Sequence, residues 1–443
     1  MFALLTAAAS CVGSAAPPPD QNSLRQTVAA AAPTPTTTLP PGPLSASTAS
    51  GSLLGVPTST PSSVPQPPPT VTATPFLGIH DPLEARVAEE FATFGQWQTD
   101  FTKRSVSLLS IDPIVPRDRI TPIDAPQFTD VAAAPAYMRD NEPVIAFESG
   151  GTAKAYPLAM LIWHEIVNDT VGGKPVTVTF CPLCNSSLVF DRSVDGRRLS
   201  FGTSGNLRHS DLVMWDRQTQ SWWQQITGEA IVGTLTGTQL DVLPSAVISW
   251  KAFRELYPEG ELLLRVTEDD GSYARDYDNP PYAGYDDVRE RPFLFVGTAD
   301  GRLPAVARVV TLQIAETSVA YPFDFLSGNP VINDSVGGQD IVIMFDDSVA
   351  SPFTDASLAP QISGGATVFS RQAGAGTLMF EYVNGKMVDT ETASVWTGGI
   401  AISGPLLGTQ LSPVTHGNHF WFAWAVFWPD TTVRKSVADL TPN

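Results

Sequence analysis

The chain has 443 residues, 43% of them hydrophobic, enough apolar material for one large domain or two ordinary ones. A formal net charge of −19 excludes the basic stripe with which nucleic-acid binders displace counterions from phosphates. It argues equally against electrostatic attraction to anionic lipid.

In chain order, the first segment reads "MFALLTAAASC". A short apolar run ending in Ala8-Ala9-Ser10-Cys11 is similar to a bacterial lipoprotein signal, so residues 1–11 are read as that signal and Cys11 as the lipidated residue, with a trimmed ordinary secretory signal or a disordered tail as the alternative. Residues 12–75 are Pro, Thr, Ser and Ala with almost no charge, too poor in apolar side chains to offset chain entropy, and are expected to form a disordered, partly polyproline tether. No later run reaches transmembrane length. The expectation is an exported protein, periplasmic or at the cell surface, touching the membrane only through a lipid anchor. An exported chain meets an oxidising medium, which makes its cysteines disulfide or metal candidates.

The globular part divides into a first β-rich unit (76–265), a connector (266–290) and a second unit (291–443). "PVIAFESGGTAKAYPL" alternates on both sides of a Gly-Gly turn and predicts a hairpin. Lys174 to Phe180 alternates Val and Thr, as a half-buried strand does. "SLVFDRSVDGRRLSFG" predicts a second hairpin turning at Asp195-Gly196, and "IVGTLTGTQLDVLP" a third. Short helices are expected at Trp250–Tyr257 and around Trp421–Trp428. The fold class is therefore mainly β, a β-rich α+β protein of two degenerate tandem repeats, each closed by a short helix.

The repeat rests on two blocks in the same order. "AYPLAMLIWHEIVNDTVGGKPVTVTFCPLC" matches "AYPFDFLSGNPVINDSVGGQDIVIMFDDSV", with Asn168-Asp169 on Asn333-Asp334. After a small gap, Met214, Asp216 and Trp223 match Met387, Asp389 and Trp396, and both blocks end in Gly-Thr-Gln-Leu. What the copies share belongs to the core; what one copy alone carries is a candidate for function. Cys181 falls opposite Asp346, Cys184 opposite Val349, His164 opposite Asn329 and His209 opposite Tyr382. Trp222 faces Val395 and is read as free to stack on a ligand, whereas Trp223 is read as core.

Two thiolates spaced Cys-x-x-Cys can grip one ion from a turn, with one or two imidazoles completing a tetrahedron. Such soft donors favour copper or zinc. Cys181, Cys184, His164 and His209 are thus the candidate metal ligands, and Glu165 a carboxylate that orients the His164 ring. The same pair also suits thiol–disulfide or metal-dependent oxidoreductase chemistry, although the following "NSSLVFDR" reads as a strand and withholds the helix N-terminus that activates such thiols. A structural disulfide in a surface interaction protein is the third reading. The acids Asp276, Asp278, Asp286 and Asp287 fit no calcium loop, and His416 with His419 make a pair at i, i+3. The chain has no P-loop, HExxH or dinucleotide-binding glycine pattern, so no nucleotide cofactor is expected. The expected partner is a small ligand or a metal donor.

Together "AYPLAMLIWHEIVND", "VTFCPLCNSS", "FGTSGNLRHSDLVMWDRQTQSWWQQITGEAIVG" and "FWFAWAVFWPDT" resemble the domain of unknown function 3179 family, over roughly Thr99 to Thr432. That resemblance implies a bacterial or archaeal, often exported, protein with no established activity. It sets His164, Glu165, Cys181 and Cys184 among the family's recognisable positions.

Overall fold

The computed structural model describes the backbone of residues 76–77 and residues 81–355, 359, 361–374 and 376–441. The signal and tether readings for residues 1–11 and 12–75, Cys11 included, lie outside the described residues. A helix, α1 (Pro82–Phe94), opens the described chain, with Asp81 capping its N-terminus through Leu83 N. Glu84 on its inner face is paired with Arg104 and bonded to Leu108 N at 3.1 Å, which fixes the helix to the segment that follows.

The first unit runs β1 (Pro143–Ser149), β2 (Thr152–Pro157), α2 (Leu158–His164), β3 (Ile166–Val171), β4 (Lys174–Cys181) and β5 (Ser186–Asp191). It continues with β6 (Phe201–Arg208), β7 (Asp211–Asp216), β8 (Trp222–Gln224), β9 (Ala230–Val232), β10 (Ala246–Ser249), α3 (Trp250–Leu256) and β11 (Glu261–Leu263). The order recurs further on as β12 (Arg308–Ile314), β13 (Thr317–Pro322), α4 (Phe323–Gly328), β14 (Val331–Val336), β15 (Gln339–Asp346) and β16 (Gly365–Ser370). Then come β17 (Phe380–Val383), β18 (Lys386–Asp389), β19 (Val395–Thr397), β20 (Ile400–Ser403), β21 (Gly417–Phe420), α5 (Trp421–Ala425) and β22 (Thr432–Val433). Strands dominate and helices are short, so the molecule is a β-rich α+β protein.

Sheet order corresponds as well. In the first unit β10–β1–β2–β11 form one sheet, with β11 parallel to β2; in the second, β21–β12–β13–β22 do so, with β22 parallel to β13. Buried side chains make matching bonds in both units. Tyr156 and Tyr321 each donate to an aspartate, Asp169 and Asp334, at 2.7 Å. Trp223 and Trp396 donate to Asp216 and Asp389 at 3.0 and 2.8 Å. Asn168 bridges to Phe201 O at 2.7 Å as Asn333 does to Phe380 O at 2.8 Å.

The units pack reciprocally: β10 of the first lies on β16 of the second, and β21 of the second on β5 of the first. At one crossing Gly365 is required, because a Cβ there would stand 2.5 Å from the carbonyl of Val247. One hydrophobic core joins Phe180, Phe190 and Leu161 of the first unit to Phe353, Phe420 and Phe422 of the second.

One register differs from the sequence alignment. Tyr382 pairs with Met387, and Thr203 with Met214, so Tyr382 corresponds to Thr203 rather than to His209. The β6–β7 hairpin spans Phe201–Asp216, whereas its counterpart closes within Phe380–Asp389. The tip of the first hairpin, carrying His209, Ser210 and Asp211, therefore has no equivalent.

A candidate metal centre under the connector

Cys181 ends strand β4, and Pro182–Cys184 form a single 3-10 turn closed by Asn185 in the left-handed region (φ 48°). Ser186 then starts β5 directly opposite Cys181. The pair therefore sits at the tip of a hairpin, with a strand after it, and both thiols are free and buried.

The longer β6–β7 hairpin reaches over to meet them. His209 and Ser210 both have positive φ (55° and 69°), the conformation of a two-residue turn that follows the strands' twist. That turn aims the Ser210 carbonyl at the sulfurs, 3.4 Å from Cys184 Sγ and 3.8 Å from Cys181 Sγ. It also delivers Asp211, fully buried. Donor atoms of Cys181, Cys184 and Asp211 lie within 4.8 Å of one another. Asp211 Oδ2 accepts from Gln224 Nε2 at 2.7 Å and from Ile226 N at 3.0 Å, which fixes the carboxylate's orientation. Its Oδ1 is buried and meets no nitrogen or oxygen donor; the thiols of Cys184 and Cys181 are the other groups that bond to the carboxylate.

Burial sets the site's electrostatics. Desolvation pushes Asp211 up to about 6, against the pull of its hydrogen bonds. Desolvation, and then the charge of Asp211, push Glu165 up to about 8. Both thiols are raised by loss of water, Cys184 well above its ordinary value. Without a cation the sulfurs are protonated and poorly nucleophilic. Tyr282 and Tyr285 of the connector, with Phe293 just beyond it, are buried in the same cluster as the two cysteines and cover the site. Tyr285 Oη donates to Leu183 O at 3.1 Å and accepts from Phe293 N at 3.0 Å, while Ser210 Oγ donates to Phe293 O.

The histidines lie elsewhere. His164 is used up on both ring nitrogens: Nδ1 meets Thr121 O at 2.8 Å and Nε2 meets Tyr277 Oη at 2.7 Å. Burial lowers it to about 4, so it is a neutral ring that ties the connector to α2. It does not join the sulfurs, and Glu165 does not orient it. His209 packs against Phe295 and Phe427 instead of facing the thiols, with ring centroids 6.4 and 5.6 Å away. Trp222 is not free either; it is fully buried among Phe91, Trp97 and Phe101 under α1, with centroids 4.9, 5.1 and 5.3 Å away. His416 bonds Val414 O and Ala366 O, and His419 pairs across β12 within a strand, so the two do not face a common ion. The connector's acids are spent on neighbouring side chains, Asp278 on Arg265, Asp286 on Arg308 and Asp287 on Arg289.

Asp211 is the ligand candidate that sequence reasoning missed. Its signal was the gap in the alignment of the two copies, which marks where the first hairpin runs longer.

A family model described as a protein of unknown function (DUF3179) matches residues 117–431, most of the chain. The chain belongs to the DUF3179 family. No curated protein matches it, and no solved structure does. Cys181, Cys184, Asp211 and Glu165 all fall inside the DUF3179 match. Among the described residues no helix is long and apolar enough to cross a membrane.

Proposed function

We propose that this DUF3179 protein is a metal-holding protein whose ion is bound by Cys181, Cys184 and Asp211. The observation that carries this reading is the convergence of Asp211 Oδ1, a buried oxygen that meets no nitrogen or oxygen donor, with the two buried thiols. An interior carboxylate is ordinarily paired or coordinates a metal. Two sulfurs and a carboxylate oxygen suit zinc; copper(I), which prefers sulfur alone, fits less well. Gln224 and the Ile226 amide supply the outer bonds that orient a ligating carboxylate. Raised thiols argue against a redox-active pair, and the closed site argues for retention of the ion over rapid turnover. Export and anchoring at Cys11 belong to the same proposal and give the protein a place to meet extracellular metal.

The test is metal analysis of reduced protein purified from zinc- and copper-supplemented cells. About one zinc per chain, lost in Cys181→Ser and in Asp211→Asn, is the expected result. Wild-type protein that stays metal-free after reconstitution with zinc or copper refutes the reading.

A further inference from the structure

We propose that the open strand edge at Ile402–Gly404 pairs with the same edge of a second copy of this chain, joining two molecules through one continuous sheet across a two-fold axis. Nothing in this inference depends on a bound metal.

The first unit shows what such an edge takes. Beyond β9 (Ala230–Val232) the segment Lys103–Arg104 lies antiparallel, with Arg104 opposite Val232. Gly233 N donates to Lys103 O at 2.8 Å, and Ser105 N donates to Ile231 O at 3.0 Å. In the second unit β19 and β20 pair as β8 and β9 do, with the register shift at the same place. Gly404 corresponds to Gly233: both have positive φ (94° and 106°), and a Cβ at either would crowd a serine Cα, of Ser394 at 2.6 Å or Ser221 at 2.8 Å. Ile402 O and Gly404 N therefore hold the positions of Ile231 O and Gly233 N. Yet β20 ends its sheet, and among the described residues no strand lies beyond it.

An acceptor and a donor flanking one residue are complementary to themselves. With Ser403 opposite its own copy in an antiparallel pair, Gly404 N of each molecule donates to Ile402 O of the other. Those are the two bonds that Val232 and Arg104 set up within the chain. Charge points to the same partner. From Thr392 to Val414 there is no Asp, Glu, Lys or Arg, in a chain of net charge −19. Two like-charged molecules repel, and that repulsion opposes contact least at a neutral stretch. Edges that stay unpaired usually carry a charge such as Lys, and this one carries none. The irregular register is no obstacle, since the first unit's edge shares it and is paired. Apolar side chains flank the edge, Ile402 at 53% exposure and Leu407 at 68%. The first unit has Thr236 at the position of Leu407, and its hydroxyl bonds Lys103 O at 3.0 Å. A polar anchor for the chain's own strand is thus replaced by an apolar side chain that a second molecule would cover. A closed two-fold contact uses the edge up and stops at a dimer.

Sedimentation of the reduced full chain over a concentration series reads the mass. Wild type should double its mass as concentration rises, whereas Ile402→Lys, which sets two ammonium groups at one contact, should stay monomeric. Ser403→Cys reads the register. Opposed residues of a non-hydrogen-bonded pair have Cα atoms about 4.5 Å apart, within disulfide reach. Oxidised glutathione should therefore link this variant into a covalent dimer, two thiols losing two electrons and two protons to form one disulfide as the glutathione is reduced. Wild type, with its own cysteines, supplies the background. Protein stripped of metal should dimerise as well as untreated protein, so failure of the metal reading leaves this result in place. A wild type that is monomeric even at about 0.1 mM would overturn the proposal. So would a dimer that Ile402→Lys leaves intact, or one that Ser403→Cys fails to link. Should the lysine variant misfold by circular dichroism, the cysteine variant decides alone.

Discussion

Asp211→Asn should stabilise the protein without metal and weaken it with metal, and both effects follow from one buried carboxylate. Burial raises Asp211 from 3.8 to about 6. A carboxyl whose folded value lies above its unfolded value costs nothing below pH 3.8, and its cost is complete above about pH 6. At about 1.4 kcal/mol per pH unit, the cost in the metal-free protein approaches about 3 kcal/mol at pH 8. Asparagine removes that cost, and its carbonyl oxygen accepts from Gln224 and Ile226 much as the protonated carboxyl does, so little is lost at low pH. The difference in unfolding free energy, variant minus wild type, should therefore swing by about 3 kcal/mol in the variant's favour between pH 4 and pH 8. Saturating zinc at a thousandfold excess over Kd adds about 4 kcal/mol to wild type and far less to the variant. The assay is urea unfolding of reduced, chelator-stripped protein across that pH range, with and without zinc. A difference flat with pH would refute the burial argument, and one unmoved by zinc would refute the ligand argument.

Other substitutions separate ligands from packing. His164→Phe should leave bound metal unchanged yet cost about 1–3 kcal/mol, by orphaning Thr121 O and the Tyr277 hydroxyl; loss of metal would return His164 to the shell. Trp222→Ala should cost about 3–5 kcal/mol in thermal or urea unfolding, with wild-type metal content, because it empties the core under α1. Tyr156→Phe and Tyr321→Phe should each cost about 1.5–3 kcal/mol through the bond to Asp169 or Asp334, and closely similar losses would show that the two positions are equivalent. Native metal-free protein should react slowly with a thiol reagent at pH 7 and quickly in urea; fast native labelling would contradict the burial of Cys181 and Cys184.

Local pattern made much of this protein legible. Val and Thr alternation marked Lys174 to Phe180 as a strand, which runs on to Cys181, because side chains on a strand repeat every two residues. Gly-Gly and Asp-Gly pairs marked hairpin turns because only a left-handed backbone closes them. The Cys-Pro-Leu-Cys spacing alone placed two sulfurs on one turn. The identity of the remaining donors was not legible in the same way. His164 looked like a ligand because imidazoles bind metals, yet its ring is consumed by Thr121 and by Tyr277, more than a hundred residues away. Trp222 looked free because its counterpart is a valine, but α1 covers the first unit's sheet and encloses it.

What the sequence determined is what depends on neighbours along the chain: strands, turns and the thiol pair. What only the tertiary structure decided is which atoms meet at that pair. Asp211 reaches it from a hairpin tip that the second unit lacks, and the connector's tyrosines close over it from a third segment. Periodicity reports which way a side chain points from its own strand. It carries no information about which distant strand arrives opposite, because that is settled by the packing of whole sheets.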